Sequence, residues 1–238
     1  MDSKPPEHHF VTEMLPKNQG EMDPFFGAMF QYMRTALAAG GSEFGLGITL
    51  FSLAVSIRAE NIIEIGRFKG FATLCLASAL RFLDIGWQEP SHNKQRPDIN
   101  YTDLEREKSR KVYSVDPYPT EDAATLIEKA GLNAYIEFID QRSDDISIAG
   151  EADLVFIDGD HTYEGCQRDV QQYVTQNLRH GGYFIMHDYF GWFGGGNKNN
   201  SPIKKVIDEI VSTCNFQHVL IDTGYQSFVI FRKPAPND

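Results

Sequence analysis

The chain has 238 residues, of which 42% are hydrophobic and 23% are charged, and its formal net charge is −11. These values are typical of a globular protein with a sizeable core. The acidic balance argues against a nucleic-acid partner, because phosphate backbones are bound by clustered Lys and Arg. The three cysteines form no C-x-x-C pair, which argues against a disulfide framework or a zinc site. We see no secretory signal and no apolar run long enough to cross a bilayer, so we expect a cytoplasmic protein without a membrane partner.

Residues 1–41 are expected to form an N-terminal arm and a helix that precede the main domain, residues 42–238. Pro and Gly residues interrupt the first part of the arm, whereas Asp23 and Pro24 are suited to the N-cap and the first turn of a helix. That helix is rich in Phe and Met, which predicts that it packs either on the domain or against a partner chain. A homo-oligomer formed through the N-terminal helices is therefore one expectation. A further helix is expected from Ser42 to about Arg58.

The segment 61–73 organises the domain. A short apolar run of strand type ends in the acidic residue Glu64. A turn with two glycines, Gly66 and Gly70, follows, and the apolar stretch Leu74–Leu83 after it predicts a helix. Glycines let the backbone approach a ligand closely, and the helix begins with free N–H groups. The pattern predicts a nucleotide-type ligand at the C-terminal end of a first parallel strand. The pattern differs from the dinucleotide fingerprint G-x-G-x-x-G, and the absence of that fingerprint disfavours an oxidoreductase. A strand–turn–helix without a ligand is the plain structural alternative.

The region after this helix contains a segment of different composition and then a second strand. Residues 84–110 are rich in Pro, Asn and charged side chains, which predicts a surface insertion. The strand Lys111–Val115 follows and ends at Asp116. A carboxylate at this place is suited to accept hydrogen bonds from both ribose hydroxyls of a nucleotide. A turn-forming role before Pro117 is the alternative.

The densest group of polar residues follows two further strands. Apolar runs predict these strands over Ala152–Ile157 and Tyr183–Met186, with a helix between them that ends near Gly181-Gly182. The polar residues that follow the two strands are Asp158, Asp160, His161, His187 and Asp188. Because the C-terminal ends of adjacent parallel strands meet at one edge of a sheet, we expect these side chains to form a divalent-cation site or to place a base beside a substrate hydroxyl.

These motifs resemble those of a known enzyme family. The pattern Glu64-x-Gly66-x-x-x-Gly70 resembles motif I of the class I S-adenosylmethionine-dependent methyltransferases, in the form seen in catechol-type O-methyltransferases. The run Asp158–Gly165, followed by His187-Asp188-Tyr189, is similar to the family that contains macrolide-sugar O-methyltransferases and cephalosporin-hydroxylase-type proteins. The resemblance covers roughly residues 42–231. It implies an α/β, Rossmann-like fold with a mostly parallel seven-stranded sheet, an antiparallel C-terminal hairpin and helices on both faces.

The resemblance also implies an activity and a set of site residues. The expected function is S-adenosylmethionine-dependent methylation of a hydroxyl group on a small-molecule substrate. The expected cofactor-binding residues are Glu64, Gly66, Lys69, Gly70, Asp116, Ser143, Asp144 and Asp158. His161 occupies the position of the family's catalytic lysine and is expected to be the base, with Asp160 as the competing candidate.

The resemblance further implies a divalent metal, Mg or Mn, held by Asp158, His187 and Asp188. His187 departs from the usual pair of carboxylates or acid and amide, and an imidazole suits Mn, Fe or Zn better than Mg. Two alternatives stay open at this point. One is a metal-free methyltransferase with a histidine base, and the other is a catalytically silent protein that binds the cofactor.

Overall fold

The computed structural model of the protein describes residues 44–86, 109–191, 201–224 and 226–235. The predicted arm and helix of residues 1–41 and most of the predicted insertion 84–110 lie outside the described residues, so they remain predictions. No helix within the described ranges is both long and apolar enough to span a membrane.

The described part of the chain contains five α-helices and seven strands. The helices are α1 (Phe44–Ser56), α2 (Phe71–Gly86), α3 (Glu121–Lys129), α4 (Tyr163–Asp169) and α5 (Pro202–Thr213). The strands are β1 (Asn61–Ile65), β2 (Lys111–Val115), β3 (Ile136–Ile139), β4 (Ala152–Ile157), β5 (Leu178–His187), β6 (Gln217–Asp222) and β7 (Ser227–Arg232). A π-helical segment, Val170–Asn177, continues α4, and short 3₁₀ turns at Asn133–Tyr135 and Ser143–Asp145 flank β3.

The strands form one sheet in the order β3-β2-β1-β4-β5-β7-β6. β1 to β5 pair in parallel, whereas β7 is antiparallel to both β5 and β6. This confirms the predicted mostly parallel seven-stranded sheet with a C-terminal hairpin. The strand order reverses direction between β1 and β4, and such a switch point opens a crevice at the C-terminal ends of the strands.

Two apolar cores lie on opposite faces of the sheet. The first packs α1, α2 and α3 against the sheet and includes Leu50, Leu80 and Ile127, which are fully buried. The second packs α4, its π-helical extension and α5 on the other face and includes Tyr173 and Val206. Both faces of the central strands are therefore covered, as is usual for a parallel sheet.

The structure corrects several sequence-based boundaries. α2 begins at Phe71 rather than Leu74, because the Leu74 N–H already donates to the carbonyl of Gly70. The helix after β4 does not continue to Gly181-Gly182 but ends at Asn177. Lys233 donates from its ammonium to three carbonyl oxygens at this helix end, and β5 begins at once with a bulge at the glycine pair.

Candidate active site

A cleft of about 800 Å³ opens at the C-terminal ends of the central strands. Its walls are formed by the turn after β1, the residues that follow β2, the 3₁₀ turn after β3, and the residues at the ends of β4 and β5. Of the sequence-predicted site residues, all but Glu64 and Gly70 line this cleft.

The turn after β1 depends on its two glycines. Gly66 has a φ of +90°, and a Cβ there would overlap the backbone carbonyl of Asp158. Gly70 has a φ of +82°, and a Cβ there would lie 2.9 Å from the methyl carbon of Ala123 in α3. Gly66 thus lets the end of β1 lie directly against the end of β4, while Gly70 lets α3 pack beside the turn. Phe68 also has a positive φ, +45°, which is uncommon for a bulky residue.

Asp116 fastens this turn to the end of β2. Its Oδ2 accepts hydrogen bonds from the backbone N–H groups of Arg67 (3.0 Å) and Phe68 (2.9 Å), and its Oδ1 accepts from the N–H of Tyr118 (2.8 Å). The side chain lies at the cleft wall and is 9% exposed. The predicted ribose contact and the alternative role as a turn former are therefore compatible at this residue.

Glu64 lies away from the cleft, inside the sheet. Its Oε2 accepts from the hydroxyl groups of Thr73 (2.6 Å) and Ser114 (2.5 Å), and its Oε1 has no hydrogen-bond partner within the described part of the chain. Burial raises the pKa of the Glu64 carboxyl to about 7, against the two hydroxyl donors, which lower it. This position supports a structural role beneath the turn rather than direct contact with a ligand. Lys69, by contrast, lies at the cleft, with its ammonium 5.5 Å from the ring of Phe68.

The 3₁₀ turn after β3 places Ser143 and Asp144 at one end of the cleft. The Ser143 hydroxyl donates to Asp169 Oδ1 (2.6 Å), and the Tyr173 hydroxyl donates to the Ser143 carbonyl (2.6 Å). The Asp144 carboxylate accepts a two-pronged contact from the guanidinium of Arg142 (2.9 and 3.1 Å). Sequence reasoning did not single out Asp169, which is buried, and burial raises its pKa to about 6.

Asp158, His187 and Asp188 form a compact group at the ends of β4 and β5. His187 Nδ1 lies 3.1 Å from Asp158 Oδ1 and 3.5 Å from Asp188 Oδ1. His187 and Asp188 are 5% and 4% exposed, and Asp188 has a φ of +55°. Such strained backbone is characteristic of functional sites.

Charge pairing controls the protonation of this group. Burial alone would raise the pKa of Asp158, but the two neighbouring imidazoles outweigh it and hold that pKa at about 2. Burial likewise disfavours a charged His187, but the Asp158 carboxylate outweighs it and raises the pKa of His187 to about 9. Burial raises the pKa of Asp188. The pair Asp158–His187 is thus an ion pair near neutral pH.

The same three residues fit a divalent metal. One possible ligand atom from each residue lies within 4.8 Å of the other two, as a shared ion requires. One imidazole and two carboxylates form a mixed nitrogen and oxygen donor set that suits Mn, Fe or Zn better than Mg. Binding would require loss of the proton from the ligating nitrogen of His187.

His161 and Asp160, the two predicted bases, have different surroundings. His161 Nε2 lies 3.3 Å from Asp158 Oδ1, and its Nδ1 lies 3.8 Å from Asp188 Oδ2. The hydrogen bond to Asp158 raises the pKa of His161. Asp160 instead accepts from the backbone N–H of Thr162 (2.9 Å), and that bond lowers its pKa. His161 therefore belongs to the cluster, whereas Asp160 belongs to the turn that begins α4.

Two further cleft residues escaped the sequence analysis. Arg67 is buried, and its guanidinium donates to the carbonyl of Ser114 (2.9 Å) and pairs with Asp140 (2.5 Å). Gln226 Oε1 lies 3.3 Å from His187 Nε2. No sequence signal indicates Gln226, because its contact spans 39 positions and depends on the pairing of β5 with β7.

Comparison with known proteins identifies the family and the fold. A family model described as a methyltransferase domain matches residues 63–189, the segment from β1 to the end of the Asp188 cluster. No curated protein matches the chain. Among solved structures, an O-methyltransferase from Bacillus cereus in complex with SAH has a TM-score of 0.62 at 18% identity. The alignment covers 94% of this chain and 95% of the Bacillus cereus chain.

Two further solved structures agree with it. The O-methyltransferase TomG from Streptomyces achromogenes, involved in tomaymycin synthesis and in complex with SAM, has a TM-score of 0.61 at 16% identity, with 95% of each chain covered. The SAH-bound methyltransferase PaMTH1 from Podospora anserina has a TM-score of 0.63 at 15% identity, with 98% of this chain and 100% of that chain covered. At these identities the likeness establishes a shared fold.

Proposed function

This chain belongs to the methyltransferase-domain family, and from that premise we propose that it transfers the methyl group of S-adenosylmethionine to a hydroxyl oxygen of a small molecule. The observation that carries the proposal is the convergence on one cleft of the Gly66 turn, the Asp116 carboxylate and the cluster of Asp158, His161 and Asp188. The solved neighbours crystallised with SAM or SAH support the choice of cofactor.

The cofactor is proposed to lie across the ends of β1, β2 and β4. A carboxylate offers about four acceptor positions, and backbone N–H groups occupy three of them at Asp116. A position therefore remains for a ribose hydroxyl, while the N–H bonds hold the carboxylate in place. Ser143 and Asp144 are proposed to lie beside the adenine, because their turn forms the next wall of the cleft.

The acceptor hydroxyl is proposed to lie beside His161. Methyl transfer is an in-line displacement, so the protein must mainly align the two reacting groups and exclude water. The imidazole of His161 takes the hydroxyl proton, and the Asp158 carboxylate, 3.3 Å from its Nε2, orients the ring and stabilises the imidazolium that forms. This nearby carboxylate favours His161 over Asp160 as the base.

A divalent metal is proposed at Asp158, His187 and Asp188, supported by the proximity and chemistry of their ligand atoms. When bound, it would supply a Lewis acid that lowers the pKa of the acceptor hydroxyl. The role of this chain's residues is to hold the metal next to His161, which lies within 4 Å of both carboxylates.

Calorimetric titration of the EDTA-treated protein with S-adenosylhomocysteine tests the proposal. We expect micromolar binding that Asp116→Ala weakens at least about tenfold, because the variant loses both the ribose acceptor and the fastening of the turn. The matched control is Asp122→Ala, which removes an exposed carboxylate in the first turn of α3. It should bind S-adenosylhomocysteine like the wild type. Absence of binding by the folded wild-type protein would refute the proposed cofactor.

A further inference from the structure

Gln226 lies immediately before β7, diagonally across the sheet from His187. In the antiparallel pair β5–β7, His187 is opposite Phe228. Side chains two residues apart on a strand point to the same face, so Gln226 and His187 share a face and are within reach of each other. The Gln226 backbone is fixed by Thr223, whose hydroxyl accepts from the Gln226 N–H (3.1 Å) and whose own N–H donates to the Gln226 carbonyl (3.0 Å).

The two ring nitrogens of His187 have different partners. Nε2 lies 3.3 Å from Gln226 Oε1, whereas Nδ1 lies 3.1 Å from Asp158 Oδ1 and 3.5 Å from Asp188 Oδ1. The ring is 5% exposed and contacts the ring of Phe156 at a centroid distance of 6.5 Å. Its orientation is therefore set by packing and by these polar partners rather than by solvent.

Neutral imidazole carries one N–H, and the nitrogen without the proton is the one that binds a metal. Metal-ligating histidines nearly always donate their other N–H to an oxygen acceptor, which fixes the tautomer and the ring orientation. Gln226 Oε1 is such an acceptor on the Nε2 side, so Nδ1 is the nitrogen that faces the two carboxylates and is left to bind a metal.

We propose that Gln226 is a positioning residue that makes His187 Nδ1 the third ligand of a metal shared with Asp158 and Asp188, and so gives the site a preference for Mn²⁺ over Mg²⁺. The proposal rests on the metal-binding part of the proposed function. Gln226 acts through His187, because only the histidine offers the nitrogen that Mn²⁺ accepts more readily than Mg²⁺ does.

The test is a titration of the full-length protein, saturated with S-adenosylhomocysteine, with Mn²⁺ followed by electron paramagnetic resonance. Gln226→Met keeps the length of the side chain but removes the acceptor, and it should weaken Mn²⁺ binding about 10- to 100-fold. Gln226→Glu keeps an acceptor oxygen and should restore affinity to within a few-fold of the wild type. The matched control is Gln217→Met, which replaces an exposed glutamine on β6. It should not change the affinity for Mn²⁺.

A spectroscopic readout separates positioning from a purely structural effect. Electron spin echo modulation should show an imidazole nitrogen coupled to the bound Mn²⁺ in the wild type and not in His187→Asp. His187→Asp should also lower the ratio of Mn²⁺ to Mg²⁺ affinity at least about tenfold, because all its ligands are oxygen. The melting temperature and S-adenosylhomocysteine affinity of Gln226→Met should match those of the wild type.

Three results would overturn the inference: undiminished Mn²⁺ affinity in Gln226→Met, absence of nitrogen coupling in the wild type, or no Mn²⁺ binding at all. Each of these, obtained with intact S-adenosylhomocysteine binding, leaves the proposed methyl transfer standing. The converse outcome can be seen in samples prepared without S-adenosylmethionine or S-adenosylhomocysteine. If such a protein binds Mn²⁺ with the expected nitrogen signal but has no affinity for either compound, the proposed function is refuted and the role of Gln226 is supported.

Discussion

His161 and Asp160 are neighbours in sequence, yet only one of them touches the cluster at the strand ends. His161 lies within hydrogen-bonding distance of Asp158, and its side chain is 46% exposed at the cleft. Asp160 uses one oxygen to accept from the Thr162 N–H, and its other oxygen lies 3.7 Å from the guanidinium of Arg168. A carboxylate that is already satisfied in this way is a weak proton acceptor.

Substitution of the two residues should separate their roles. We expect His161→Ala to lower turnover about 10²- to 10⁴-fold, the usual contribution of a general base, while S-adenosylhomocysteine affinity stays within a few-fold of the wild type. Asp160→Asn should lower turnover much less. The measurement is transfer of radiolabelled methyl groups from S-adenosylmethionine to an acceptor selected from a pool of hydroxyl compounds.

The opposite ranking of the two variants would assign the base to Asp160. If the folded protein binds S-adenosylhomocysteine but methylates no member of a broad pool of hydroxyl compounds, the catalytically silent alternative is favoured.

At the residue scale, sequence reasoning located side chains correctly where a polar residue directly follows a buried strand, whereas the roles of these side chains stay predictions. Asp158 and Asp188 were found in this way, because a parallel sheet brings strand ends together. Glu64 shows the limit of the same reasoning. It lies within β1 rather than after it, and its side chain points to the hydroxyl groups of Thr73 and Ser114 instead of the cleft. The direction of one side chain near a strand end depends on the pleat and cannot be read from composition.

At the element scale, the turn between β1 and α2 is the feature on which the cleft depends. Gly66 combines a left-handed backbone with a space too small for a Cβ. Gly150 has nearly the same φ, +89°, but a Cβ added there would meet no atom of the described residues within 4 Å. The two glycines therefore separate the cost of backbone strain from the cost of steric overlap.

We predict that Gly150→Ala destabilises the protein by about 1–2 kcal/mol, the cost of placing alanine in the left-handed region. Gly66→Ala should cost at least about 2 kcal/mol more, because the end of β1 must also move away from β4. Urea denaturation with comparison of midpoints at constant m-value measures both. Equal losses for the two variants would mean that the contact between Gly66 and Asp158 is easily relieved.

The sequence predicted the elements best where local pattern and tertiary contacts agree. β2 and β4 have the predicted bounds, since each is an apolar run bordered by residues that end strands. The predicted start of β5 was wrong, because the pair Gly181-Gly182 is typical of the end of a helix but forms a strand bulge here. The Gly181 N–H donates to the carbonyl of Lys233, more than 50 residues away, and a contact at that separation leaves no local signal.

At the scale of the whole molecule, the sheet order and the two cores follow from the alternation of strands and helices, together with the family resemblance. What sequence reasoning did not anticipate is that two carboxyl groups are buried in the interior instead of lining the cleft. Glu64 is fully buried between the two cores, and Asp169 is buried beneath the turn of Ser143. Burial raises the pKa of both carboxyls, to about 7 and about 6. Their protonation must therefore contribute to the pH dependence of global stability.

The sign of the Glu64 contribution follows from the direction of its pKa shift. The carboxyl pKa is raised from 4.5 to about 7 on folding, so between these values the folded state holds a proton that the unfolded chain releases. The stabilisation is complete below about pH 4.5 and is lost as the pH rises through 7. A shift of this size corresponds to at most about 3 kcal/mol.

Glu64→Gln should remove this part of the pH dependence, because a neutral amide does not titrate. We expect the fall in the free energy of unfolding between pH 5 and pH 8 to be up to about 3 kcal/mol smaller than in the wild type, with the remaining fall due in part to Asp169. Glu137→Gln, on the exposed face of β3, controls for loss of a surface charge and should follow the wild type. The absolute stability of Glu64→Gln is not the decisive quantity, since its amide N–H₂ would occupy the side where Oε1 has no partner among the described residues. Parallel stability curves for Glu64→Gln and the wild type, obtained by urea denaturation at each pH, would show that Glu64 is already ionised in the folded protein.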